Sequence, residues 1–134
     1  MGDRTTVWVT CAKKDVPVVR GAFNFSMADP LNFNEDNGIV TTEFMEINYG
    51  GTDKLKELAM EWGITFTAYA GSGCSYCEAL VVGHKKVHIE VAALEEKPIC
   101  TIDDDGEPNP EVMDSIRRYL KQRAEAMKEF DAAR

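Results

Sequence analysis

Cys74-Ser75-Tyr76-Cys77 is followed by His84 and His88, a C-x2-C-x6-H-x3-H pattern. Thiolate and imidazole are the ligands tetrahedral zinc prefers, and C-x2-C is the usual first half of such a site. The second half has finger-like spacing. The six residues between the halves do not, because a finger carries about twelve there. Residues 78–82 and 86–92 read as a hairpin around Gly83-His84-Lys85, with Val82 facing Val87 and Val81 facing His88. That places His84 at the turn and Cys77 at the far end, about 20 Å away at roughly 3.3 Å per strand residue. Ligands of one zinc sit about 2.0–2.3 Å from the metal. Hence no cofactor is expected. A zinc- or thiol-dependent module on Cys74, Cys77, His84 and His88, with Cys11 or Cys100 as substitutes, is the alternative reading. Neither Cys74 nor Cys77 opens a helix beside a basic group, as a redox-active pair requires. Cys11 and Cys100 read as small core residues.

Asp103-Asp104-Asp105-Gly106-Glu107 concentrates carboxylates that attract divalent cations. It lacks the ligand spacing of an EF-hand loop, since Thr101 and Val112 stand where acids are required. It is expected to be a solvated acidic turn before a helix. There is no G-x-S-x-G elbow and no Walker lysine loop. No catalytic residue is assigned, and a small enzyme without a recognisable motif is the second alternative.

Charge carries more information. The chain has 134 residues and a net charge of −8. Binding nucleic-acid phosphates needs a basic surface that releases counterions, so direct nucleic-acid binding is not expected. Residues 1–110 sum to −9, and residues 111–134 to +1. Seven acids and one lysine fall in 90–107, and Arg117, Arg118, Lys121 and Arg123 crowd two turns of the last helix. Such a layout suits contact with a basic protein or with a second copy of the chain. The expected function is that of a small acidic, non-enzymatic protein acting by protein–protein contact, as inhibitor or regulator of a basic nucleic-acid-binding partner. Its expected binding residues are Glu95, Glu96, Asp103, Asp104, Asp105, Glu107, Arg117, Arg118 and Lys121. No apolar run reaches the roughly 20 residues of a membrane span. No signal peptide is recognisable at the first residues, so a cytoplasmic protein without membrane contact is expected.

These residues must be positioned by a scaffold, and periodicity outlines one. Val7, Val9 and Cys11 alternate with Trp8 and Thr10, the period of a strand. Asp15 and Pro17 open a short helix over about 16–24. Residues 26–38 read as loop, with Asn37-Gly38 as a turn. Residues 39–49 form a second strand, with Ile39, Met45, Ile47 and Tyr49 on one face and Val40, Thr42, Phe44 and Glu46 on the other. Thr52 caps a helix over 53–62 whose buried stripe is Leu55, Leu58, Ala59 and Trp62, and Gly63 closes it. Strands are expected over 64–70, 78–82, 86–92 and 99–103. Asn109 and Pro110 start a final helix over 110–131, with Val112, Met113, Ile116, Tyr119, Leu120 and Met127 on one side. Consecutive short strands imply antiparallel pairing. The expectation is one compact α+β domain over 1–134. It has a mostly antiparallel sheet of about five to six strands, helices on one face, and the C-terminal helix longest.

Overall fold

The structure, a computed structural model, describes residues 4–23, 33–48, 52–72 and 77–133, leaving aside the side chains of Arg4, Phe33, Glu46 and Asn48. Strand β1, Arg4–Ala12, points Val7, Val9 and Cys11 to one face, and all three are buried. The pleat sends Trp8 and Thr10 to the other face, where both are only half-buried. A single 3-10 turn, Lys13–Asp15, leads into helix α1, Val16–Ala22. Asp15 stands at its N-cap, but its carboxylate makes no capping hydrogen bond.

Strands β2, Phe33–Asp36, and β3, Ile39–Asn48, form a hairpin through Asn37-Gly38, whose φ values are +50° and +87°. Two consecutive positive φ values match the right-handed twist of the flanking strands, and Asn-Gly is the pair that adopts them most readily. Thus part of the expected loop over 26–38 is strand, while its residues 26–32 lie outside those described. Val40, Thr42 and Phe44 bury on the same face as Val7 and Val9, whereas Met45 is 55% exposed. A bulge between Thr5 and Val7 shifts the register, and Ile47 packs partly against this same core.

Helix α2, Thr52–Met60, buries Leu55, Leu58 and Ala59. Full burial of each leucine is worth about 2 kcal/mol of transfer energy. Trp62 does not join this stripe and is 61% exposed. The helix has already ended, and Gly63, at φ +64°, turns the chain away. Strand β4, Phe66–Ala70, then pairs with β1.

Strands β5, Glu78–His84, and β6, Val87–Leu94, form a hairpin that turns at Lys85-Lys86, with φ of +50° and +64°. Val82 therefore faces Ile89 and Val81 faces Glu90, a two-residue correction to the expected register. Lysines occupy the left-handed positions, and Gly83 serves a different purpose. A Cβ there would overlap the Phe66 ring and stand 2.8 Å from Ala59 Cβ. The glycine makes room for the Phe66 ring and lets α2 pack closely on the sheet. The turn Glu95-Glu96, again with both φ positive, leads to β7, Lys97–Pro98. The strand expected over 99–103 is absent apart from one bridge, Ile102 to Pro108.

Helix α3, Pro110–Ala133, is the longest. Asn109 Oδ1 accepts the amides of Glu111 at 3.0 Å and Val112 at 3.2 Å, an N-cap followed by proline at the first helical position. Ile116, Tyr119, Ala126 and Phe130 are buried, while Leu120 and Met127 are 46% and 36% exposed.

The fold is α+β with one antiparallel sheet in the order β2-β3-β1-β4-β5-β6-β7. Seven strands exceed the expected five to six, because β2 and β7 are short. Helix placement also differs in detail. The α1 and α2 side chains share a core with Val7, Phe66 and Val81. The α3 side chains share theirs with Val82 and Val91. Val81 and Val82 are adjacent in β5 and point to opposite faces. Helices therefore cover both faces, and the sheet is the middle of three layers. No helix among the described residues is long and apolar enough to cross a membrane.

Candidate functional site

Helix α3 covers only part of its face. It packs on β5 and β6 and leaves the outward side chains of β3, β1 and β4 beside it in an open groove of about 350 Å³. The alternation that buries Val7, Val9 and Cys11 sets Trp8 and Thr10 in the floor of this groove. Register then brings Tyr69 against Trp8 and both Thr41 and Thr67 against Thr10. The Trp8 and Tyr69 rings stack with centroids 5.2 Å apart and planes 20° apart. The Thr10 and Thr41 hydroxyls are hydrogen-bonded at 2.7 Å. Leu120 and Arg123 of α3 form the far wall.

Three carboxylates are associated with the aromatic pair. Glu43 is the cross-strand partner of Trp8. The Tyr69 hydroxyl donates to Glu78 Oε1. Glu78 also accepts the backbone amides of Glu95 and Glu96, so it ties Tyr69 to the β6–β7 turn. The tyrosine hydrogen bond, with help from those amides, holds the Glu78 carboxyl below its ordinary range. Burial, the hydrogen bond to Glu78 and the negative charges of Glu78 and Glu96 push the Tyr69 phenol up to about 12. Glu96 itself lines the groove. Arg123 is its only basic side chain among the lining residues, and it makes no ion pair among the described residues. An aromatic wall rimmed by carboxylates suits a cation: the ring face attracts positive charge and the carboxylates complete its ion pairing.

The expected binding residues divide into separate places. Glu95 and Glu96 form the β6–β7 turn, and only Glu96 reaches the groove. Asp103, Asp104, Asp105 and Glu107 lie in the exposed turn before α3. There Asp103 Oδ1 accepts the amides of Asp105 at 3.1 Å and Glu107 at 2.9 Å. This carboxylate fastens its own turn. Arg117, Arg118 and Lys121 are exposed on α3, and helical spacing sets them away from the buried line Ile116, Tyr119, Ala126 and Phe130. Arg123 is separated from them and faces the groove.

The ligands of the alternative zinc reading are dispersed. Cys74 lies outside the described residues. Cys77 is exposed just before β5, and His84 ends that strand, about 20 Å further on at roughly 3.3 Å per residue. His88 pairs with Gly83, so it points to the α2 face, while adjacent His84 points to the α3 face. His84 is not a solvated turn residue. It is buried, with Nδ1 3.3 Å from Thr65 Oγ1 and 3.9 Å from Glu129 Oε2, and its carbonyl accepts from Gln122 Nε2 at 2.7 Å. No cluster of three metal-ligating side chains occurs among the described residues. Cys11 is buried, and burial followed by the charge of Asp15 pushes its thiol up to about 12, which suppresses nucleophilic chemistry. Cys100 is half-buried beside the α3 core.

Sequence reasoning missed Trp8, Thr10, Thr41 and Tyr69. The available signal was an aromatic residue on the polar parity of a strand whose other parity is wholly apolar. Comparison of the chain with family models, with curated proteins and with solved structures returns no match.

Proposed function

We propose that this chain is a small acidic cytoplasmic protein that acts by contact with a basic partner protein, as inhibitor or regulator of a partner that itself binds nucleic acid. The single observation that carries this reading is the α3-side groove, where a stacked Trp8–Tyr69 pair lies with Glu96 in the lining, Glu43 across the register from Trp8 and Glu78 bonded to Tyr69. The net charge of −8 steers a basic surface toward it. The contact is a docking event and needs no reacting group.

The test uses the full chain with poly-L-arginine and poly-L-lysine as basic partners, followed by calorimetry at low and high salt. Acidic proteins attract polycations generally, so the readout is dependence on the groove. Glu96→Lys is compared with Asp104→Lys, which makes the same charge change on the exposed turn. The reading expects the groove substitution to weaken binding at least several-fold more than the turn substitution. Equal losses for the two variants, or no binding at low salt, would overturn it.

A further inference from the structure

The groove's shape and charges go beyond general affinity for a basic surface. Its floor holds a stacked pair of nearly parallel rings, and a flat cation can continue that stack on an outer ring face. A guanidinium is planar, weakly hydrated and able to stack on an aromatic face while its edge N–H groups meet a carboxylate. An ammonium is compact and strongly hydrated, and it gains less from a stacked wall. Glu96 stands close enough to Tyr69 to help raise its phenol, so a carboxylate is present at the rim of the aromatic wall. The Tyr69 hydroxyl is committed to Glu78, which fixes that ring in place. The Thr10 and Thr41 hydroxyls hold one another and retain acceptor lone pairs for further N–H groups.

Arg123 limits what enters. It lines the wall opposite the sheet and lacks an ion pair among the described residues. It repels a run of cations and attracts a carboxylate. The groove thus carries a cation seat at the rings and an anion seat on the helix.

We infer that the groove receives a single arginine side chain of the partner, stacked on the outer face of the Trp8–Tyr69 pair and paired with Glu96, from a segment that also offers Arg123 a carboxylate. This rests on the contact reading above and specifies the chemistry of its occupant. It predicts selection of arginine over lysine, and of an arginine beside an acid over an arginine alone.

The experiment uses short acetylated and amidated glycine-based peptides containing one arginine and one glutamate. Three variants carry lysine or citrulline for the arginine, or glutamine for the glutamate. The chain carries Trp62→Phe, which leaves Trp8 as its only tryptophan, and Trp8 emission reports occupancy. Arginine is expected to bind about tenfold tighter than lysine or citrulline, the scale of a stacked and paired cation. Glu96→Gln should remove most of that preference, and Arg123→Gln should remove the effect of the peptide's glutamate. Trp8→Leu, read by calorimetry, should abolish selection between arginine and lysine, while circular dichroism reports whether the fold is kept.

Equal binding of arginine and lysine peptides would overturn the inference. So would peptide binding that ignores Glu96, or quenching by adenosine monophosphate in place of the peptides. If the peptides fail but poly-L-arginine still depends on Glu96, the arginine seat is lost and the contact reading stands. If both fail, both are lost.

Discussion

The two faces of the sheet are built from the same strands and differ in what covers them. On one face Val7, Val9, Cys11, Phe44, Phe66 and Val81 meet α1 and α2 in an almost wholly apolar layer. On the other, α3 seals Val82 and Val91 but leaves Trp8, Thr10, Thr41, Thr67 and Tyr69 at the open groove. The alternation of β1 displays the difference within one strand, since each residue of one layer is flanked by residues of the other. The closed face supplies cohesion. That frees the open face to carry hydroxyls, carboxylates and partly exposed rings that would be costly in a core.

Breaking this division should be most expensive on the closed side. Phe44 is fully buried against Phe23, with ring centroids 4.7 Å apart. Phe44→Ala is expected to cost about 3–5 kcal/mol in urea unfolding. Gly83→Ala comes next, at about 1–3 kcal/mol, because the new methyl must displace Phe66 or Ala59. A neutral result at Gly83 would show that α2 is not held closely against the sheet.

On the side of α3, Asn109→Ala should cost about 1 kcal/mol, since two helix amides lose their acceptor. Thr10→Ala is smaller, at about 0.5–1 kcal/mol, for one partly exposed hydrogen bond. If Thr10→Ala destabilised the protein as much as Phe44→Ala, the open face would be a structural core and the contrast would fail.

The parts legible in the sequence were those where a single residue type carries the conformation. Asn109-Pro110 marked the start of α3, Gly63 the close of α2, and Asn37-Gly38 a turn. The β5–β6 register was not legible, because Lys85 and Lys86 take left-handed conformations that glycine usually supplies. The nearby Gly83 drew the turn toward itself, although packing against Phe66 requires it. Trp62 fitted a helical stripe that ends two residues too early. The groove was hidden for a different reason. Its residues come from β1, β3, β4 and α3, and only the strand order β3-β1-β4 brings them together. Glu96 was expected as a binding residue from charge alone, whereas its partners Trp8 and Tyr69 carry no charge pattern to announce them.

The smallest effect tests a polar flaw at the edge of the closed face. His88 lies half-buried beside α2, and its Nε2 has no hydrogen-bond partner among the described residues. Burial, followed by repulsion from Lys56, lowers its pKa from the ordinary 6.5. As pH falls below 6.5 the unfolded chain takes up this proton first, so stability is lost progressively until pH passes below the folded value. Glu90, on the same face, acts in the opposite sense. Burial and the charge of Asp53 raise its pKa above 4.5, so the folded chain takes up that proton first. Its protonation restores stability as pH falls through the raised value. The urea midpoint should therefore drop between pH 7.5 and 5.5, and His88→Gln should shrink that drop while Glu90→Gln leaves the histidine limb in place. An unchanged drop in His88→Gln would assign the acid sensitivity elsewhere. The closed face would then hold its histidine without a penalty on charging, and the contrast between the faces would narrow at this edge.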